Sequence, residues 1–300
     1  MKVCVLGDTG LLGQALIKKV APRHETLGVS RKPSGVCRIS RYRHISFDLT
    51  KSTDKFFTEL KKFKAELLVN CAGLADVKKC EALREEARFL NADLPGRLAE
   101  FAFRDGMAFI HLSTDHIFDG RKKSPYLETD KPNPLNRYGA TKLRGEQNVA
   151  AKNPKALIVR TNVVGLRGSE GNPTFVEWLL QALLKNETIV LAEDFVTSSI
   201  HADFLAELLL EVHQKKLSGI LNLASSDSVS KYAFGKMLAK KLAIGFKHVK
   251  KGKLKDLNLI PPRPAHLALD TTRAQKLLPV RIPAIQDTLQ RLAEECSAAR

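Results

Sequence analysis

The first half of the chain alternates short apolar runs with stretches of helical pattern. Lys2–Leu6, Glu25–Val29, Leu67–Gly73 and Ala108–Leu112 are rich in Val, Ile, Leu and Ala. Such near-continuous apolar runs suit strands buried on both faces of a parallel sheet. Ile45–Leu49 reads as the end of a further strand. Gln14–Val20 and Asn136–Ala151 read as helices, and Arg84–Arg104 as mainly helical, with Pro95 bending or splitting it. Strands alternating with helices predict βαβ units with right-handed crossovers. The fold class is therefore α/β, a Rossmann-type doubly wound parallel sheet.

From about Gly165 the alternation loosens. Phe175–Leu184 and Ala202–His213 read as apolar-faced helices, Gly219–Leu223 as a short strand, and Ser230–Leu242 as a helix capped by Ser230. Pro261-Pro262-Arg263-Pro264 reads as a rigid loop. The expected organisation is a Rossmann domain over residues 1–165 and a smaller α/β lobe over 166–300, with some chain crossing back to the sheet.

Gly7-Asp-Thr-Gly10-Leu-Leu-Gly13 joins the first strand to the first helix. Glycines there permit a tight turn, and a helix start attracts a pyrophosphate, so Gly7, Thr9, Gly10, Leu11, Leu12 and Gly13 are candidate dinucleotide contacts. The second strand runs into Ser30-Arg31-Lys32. A fold that prefers NAD usually places an acid there for the ribose hydroxyls. Two cations and no acid suit a 2′-phosphate instead, which favours NADPH, with NADH possible. Asp48 and Leu49 are placed for the adenine, and Cys71-Ala72-Gly73 leaves room for the cofactor backbone.

Composition narrows the function classes. The net charge of +17 admits nucleic acid, anionic membrane or phosphorylated ligands. The lysines are dispersed in short groups, however, and no zinc-finger spacing or RNP-like motif occurs, so a basic surface without a nucleic-acid role is expected. The cysteines are Cys4, Cys37, Cys71, Cys80 and Cys296. Their odd number and the lack of a C-x-x-C argue against a disulfide framework or zinc site. They fit a reducing cytosol, and no run is expected to insert in a membrane. A cytoplasmic monomer or homodimer is expected.

The chemistry centres on Tyr138-Gly-Ala-Thr-Lys142. A tyrosine and a lysine four residues apart share one helix face. A nearby ammonium favours the phenolate and lowers the phenol pKa from about 10. Such a tyrosine can hand a proton to a developing alkoxide. The same spacing also arises on ordinary helix surfaces, so its meaning depends on the rest of the chain. Ser113-Thr114-Asp115-His116 closes the fifth strand at the edge where ligands bind in such sheets. A hydroxyl there reaches the oxygen that Tyr138 would serve. His116 is a candidate general acid or a substrate wall.

These pieces together resemble the extended short-chain dehydrogenase/reductases, and more closely the dTDP-4-dehydrorhamnose reductase-like sugar-nucleotide reductases. The resemblance rests on Gly7–Gly13, Val69–Gly73, Asn91-Ala92, Ser113–Gly120, Glu128–Asp130, Pro134–Glu146, Arg160-Thr161, Arg263-Pro264 and Leu267–Asp270. It implies that Tyr138 protonates the carbonyl oxygen, that Lys142 binds the nicotinamide ribose and lowers the tyrosine pKa, and that Thr114 holds the substrate oxygen. It implies that Thr114, Asp115, His116, Val163 and Arg263 touch a nucleotide-sugar substrate. Arg160, Arg167, Lys231 and Arg263 are available for a diphosphate. No metal is implied, since Ala15 stands where magnesium-binding relatives carry a glutamate.

The chain departs from that pattern in places. His116 replaces a usual tyrosine, Val163 an often-found tryptophan, and Glu193–Ser199 the usual D-Q-x-x-x-P-T block. The resemblance implies NADPH-dependent reduction of a 4-keto-6-deoxy sugar nucleotide, for surface polysaccharide. The alternatives are another nucleotide-sugar reductase or epimerase, or a non-catalytic NADP-binding subunit like the regulatory β-subunit of methionine adenosyltransferase.

Overall fold

The computed structural model describes residues 1–32, 39–51, 53–168 and 172–298; Cys37 lies outside them. Strands β1 (Lys2–Leu6), β2 (Glu25–Ser30), β3 (Tyr42–Ser46), β4 (Leu67–Asn70), β5 (Ala108–Leu112) and β6 (Leu157–Arg160) form one parallel sheet with the strand Gly219–Asn222. Their spatial order is Gly219–Asn222, β6, β5, β4, β1, β2, β3. The chain reverses its direction of travel across the sheet between β1 and β4. The carboxyl ends there form the crevice where such sheets bind ligands. The expected doubly wound α/β class is the one observed.

Apolar clusters cover both faces. On one, helices α1 (Leu11–Val20) and, later in the chain, Ala202–Gln214 pack over Val3, Val5 and Val159. On the other, α2 (Thr53–Phe63) and the helix Leu94–Arg104 pack over Cys4, Leu6, Leu68 and Phe109. The stretch Arg84–Arg104 is split before Pro95 is reached. Between β4 and β5 run α3 (Val77–Ala82), α4 (Arg84–Arg88), a π-helical turn at Phe89–Asp93, and α5 (Leu94–Arg104) with Pro95 in its first turn. Proline costs little there, because no intrahelical donor is lost.

α6 (Arg137–Lys152) starts where Asn136 accepts a hydrogen bond from Gly139 N–H at 3.0 Å. The remaining helices are α7 (Phe175–Leu184), α8 (Ala202–Gln214), α9 (Lys231–Lys241), α10 (Thr272–Leu277) and α11 (Ile285–Ala298). α7, α9 and α11 share a separate apolar cluster around Leu179, Phe234 and Leu289. α8 and Gly219–Asn222 instead return to the large sheet.

Candidate active site

The loop after β1 is shaped by backbone approach. Gly7 has φ of +77°, and a β-carbon there would stand 2.8 Å from the Ala72 nitrogen. A β-carbon on Gly13 would stand 2.1 Å from the Gly7 carbonyl oxygen. Only hydrogen fits at either position, so β1, α1 and the Cys71–Gly73 turn close around an open backbone cradle. No side chain caps α1, whose first residue follows Gly10. This arrangement fits a dinucleotide pyrophosphate on the helix start. Gln14 ties the cradle to the second lobe by donating to the carbonyls of Thr9 and Arg167.

Around the cradle the expected contacts fall at one edge, with a change in their charge balance. Ser30 Oγ donates to the Lys32 carbonyl, and Lys32 is exposed. Arg31 reaches Glu86 of α4 at 2.9 Å. The expectation of cations without an acid is therefore corrected: the acid is present, carried 55 residues away in sequence. Asp48 is bonded by the Thr50 hydroxyl and N–H, which hold its carboxyl below the usual range. Leu49 is buried. Burial raises the Cys71 thiol to about 12, so it is an inert wall rather than a nucleophile.

Lys142 is only 6% exposed and donates to the Leu112 carbonyl at 2.5 Å. Burial pulls its ammonium down to about 8, offset in part by Glu146. Tyr138 moves the other way: burial lifts its phenol to about 12, while a hydrogen bond with Thr114 pulls it down and Asp115 pushes it up. The expected lowering of the tyrosine by Lys142 is thus not found. The lysine's charge acts instead on Cys71, Cys80 and His111, and the phenol is governed by desolvation.

On the far side of Tyr138, side chains from distant segments converge in a hydrogen-bond chain. Thr114, already bonded to the phenol, donates to Asp115 at 3.0 Å. Asn162 donates to the other Asp115 oxygen at 2.7 Å, and Ser199 donates to Asn162 at 2.7 Å. Lys231 ends the chain, 3.5 Å from Ser199 Oγ. Burial raises Asp115 to about 6, against the pull of Asn162 and Thr114.

The His116 ring lies edge-on to the Tyr138 ring at 5.5 Å, and its buried Nδ1 has no partner. Burial, with Arg263 and Lys231 adding repulsion, drives its pKa to about 3. A ring held neutral is unsuited to general-acid work, which leaves the wall and structural readings of His116. The wall is held close because a β-carbon on Gly139 would stand 2.2 Å from the His116 carbonyl oxygen. Arg263 lies on the same wall and donates to the Pro261 carbonyl at 2.6 Å. Val163 is half-buried and packs on the sheet core.

Two of the cations considered for a diphosphate are engaged elsewhere. Arg160, 2% exposed, binds Glu146 through Nε and Nη2 at 2.8–3.3 Å and donates to the Glu128 carbonyl. Ser113 also donates to Glu146 at 2.5 Å, so this pair ties β5, α6 and β6 together. Arg167 donates to the Asn172 carbonyl, although its buried Nε has no partner among the described residues, and Arg263 donates to that of Pro261. The charges of Lys231 and Arg263 both act on His116. Sequence reasoning missed Asn162 and Glu86, for which no local pattern gives a signal, and placed Ser199 only within the altered Glu193–Ser199 block. It listed Asn91 without a role: the π-helical turn aims its side chain at Leu74 and at Thr141 of α6.

Comparison with known proteins agrees with this geometry. A family model described as RmlD substrate binding domain matches residues 1–298. A probable low-salt glycan biosynthesis reductase of Haloferax volcanii is 30% identical over 297 residues, covering 97% of each chain. The dTDP-4-dehydrorhamnose reductase of Sinorhizobium fredii is 29% identical, over 97% of this chain and 96% of its own. The crystal structure of the Bacillus anthracis dTDP-4-dehydrorhamnose reductase, in complex with NADP, superposes with a TM-score of 0.85 at 22% identity, covering 98% of this chain and 99% of that one. Matched along nearly its whole length, the chain belongs to the RmlD substrate binding domain family.

Proposed function

We propose that the chain is an NADPH-dependent reductase of a keto-sugar nucleotide, with Tyr138 as proton donor. The observation that carries this reading is the convergence of a glycine cradle, Lys142, Thr114 and Tyr138 on the switch-point edge of the sheet. The relatives named as dTDP-4-dehydrorhamnose reductases support a 4-keto-6-deoxy sugar as substrate. The relatives' names favour neither the epimerase nor the regulatory-subunit alternative.

The nicotinamide, when bound, supplies the hydride. The protein's share is position and a proton. A phenol near 12 is fully protonated at working pH, and it is a stronger acid than the alcohol it forms, so transfer to the nascent alkoxide runs downhill. Thr114 then turns its hydroxyl from Asp115 to the phenolate and stabilises it. Lys142, anchored on Leu112, is placed for the nicotinamide ribose. Arg31 and Lys32 hold the 2′-phosphate, Asp48 the adenine, and Cys71–Gly73 the cofactor backbone. Asp115, His116, Val163 and Arg263 wall the sugar. Among the described residues no helix is long and apolar enough to cross a membrane; we infer a cytoplasmic enzyme.

The test is NADPH oxidation with a panel of keto-sugar nucleotides, including dTDP-4-dehydrorhamnose. Turnover that is lost in Tyr138→Phe is expected. NADPH binding without turnover of any member would favour the regulatory reading.

A further inference from the structure

Short lysine groups that stand apart in the sequence gather in one part of the fold. Residues 228–255 hold nine lysines and no arginine, aspartate or glutamate. The stretch folds as α9, a connecting loop and the strand Val249–Gly252. Helix and strand meet at Leu191 of the strand Ile189–Ala192. A β-carbon on Gly235 of α9 would stand 2.8 Å from the Leu191 side chain, and Lys251 pairs with Leu191 in register. Both elements share the apolar cluster of α7 and α11, so one packed unit carries these lysines.

Acids do not neutralise them. Glu193 takes Lys251 and Lys253 at 2.9 and 2.8 Å, and Lys241 donates to Gln290. Lys236, Lys240, Lys247, Lys250 and Lys255 are exposed and make no ion pair among the described residues. Lys236 and Lys240 lie one turn apart on α9, a spacing at which like charges disfavour the helix. Apolar side chains stand beside these cations. Val190, 39% exposed, pairs with Lys250 across the two strands. Leu184, 60% exposed, ends α7 just before exposed Lys185.

The residue types select the partner. Arginine forks suit discrete phosphates and nucleic acid, and the stretch has none. Lysines act as point charges, and each adds attraction to a plane of acidic lipid headgroups. Exposed Val190 and Leu184 suit the boundary between headgroups and acyl chains, which a nucleic-acid backbone does not offer.

We propose that the lysine-rich unit of residues 228–255 is a membrane-surface contact that docks the chain peripherally on a bilayer containing anionic lipid. The inference is independent of the substrate reading.

The test is flotation of the full chain with vesicles of phosphatidylcholine alone or with one-third phosphatidylglycerol. Binding is expected only to the anionic vesicles at about 0.1 M salt, and is lost at about 1 M, where the screening length falls to about 3 Å. Lys236→Gln, Lys240→Gln and Lys250→Gln together should weaken it about 100-fold, at about fivefold per lost charge. Lys18→Gln, Lys55→Gln and Lys155→Gln remove as many exposed charges elsewhere and should change it less than about twofold. Both triple variants should melt no lower than the parent, since none of these lysines is in an ion pair among the described residues. Equal losses in the two triples would assign the effect to net charge and overturn the inference. No binding to anionic vesicles overturns it too, in favour of nucleic acid if a DNA duplex is bound at the same salt. Inorganic phosphate that displaces the protein better than chloride at equal ionic strength would mark a discrete phosphate site instead.

Discussion

The two sides of Tyr138 are built by different means. On the cofactor side the site is backbone: turns after β1 and β4 brought together at positions where only glycine fits. On the proposed substrate side it is side chain: residues 114, 115, 162, 199 and 231 meet through a hydrogen-bond chain, with the His116 ring edge-on to Tyr138. A backbone site needs few residue types and tolerates little change. A side-chain site can be rewritten one residue at a time while the hydride geometry stays put.

The sharpest way to break this comparison is at the boundary. Tyr138→Phe removes one hydroxyl and little volume, so NADPH affinity should survive while single-turnover hydride transfer falls about 100-fold or more. Unchanged hydride transfer by stopped-flow absorbance would remove Tyr138 from the mechanism. On the cofactor side, Arg31→Ala with Lys32→Ala should weaken NADPH by about 10-fold or more and leave NADH affinity nearly unchanged. Equal losses for both cofactors, by fluorescence titration, would show that these residues shape the loop and do not read the phosphate.

On the substrate side, Asp115→Asn should stabilise the fold while harming turnover. The carboxyl's pKa is raised to about 6 in the folded chain, from an ordinary value near 3.8. The folded state therefore holds more protons between about pH 4 and 6, and stability is lost as pH rises through that window. Removing the charge should recover about 1–2 kcal/mol above pH 6, after allowance for weakened bonds to Thr114 and Asn162. The gain should vanish below pH 4. Thermal melts at pH 3.5 and 7.5 decide it; a gain of equal size at both would point to a cause other than charge. The smallest effect is expected from Glu86→Gln. An exposed ion pair is worth about 0–1 kcal/mol, so freeing Arg31 should tighten NADPH only about 2- to 5-fold.

Much of the cofactor side was legible in the sequence because it is local. β1 and β5 fell at their expected bounds, as both are unbroken apolar runs. β3 runs Tyr42–Ser46 and ends before the Ile45–Leu49 strand end expected, since Asp48 turns to bond Thr50. As an edge strand it need not be apolar, and Tyr42 and His44 turn to the buried carboxylate of Asp8. The π-helical turn that aims Asn91 carries no mark in sequence beyond the Pro95 that follows it. Beyond the Ser113–His116 motif, the far side of Tyr138 was named in the sequence only through the resemblance, as at Val163, Lys231 and Arg263. Arg160 was assigned to a ligand because Glu146, its partner, sits on another element. The spacing of Tyr138 and Lys142 carries no sign of the burial that raises the phenol pKa in the folded chain. Burial and partner choice are properties of the fold, and single residues do not announce them.

The return of Gly219–Asn222 to the large sheet bears on how such a chain can be cut or recombined. That strand covers β6, and α8 covers α1. A protein ended at residue 165 would bare the amide row of β6 and an apolar flank of α1, a ready template for pairing with its own copies. The second half of the chain is therefore not independent of the first: an exchange of it between relatives brings part of the large sheet with it. The loops on the proposed substrate side, around 193–199, 229–231 and 261–264, are the pieces that can move alone.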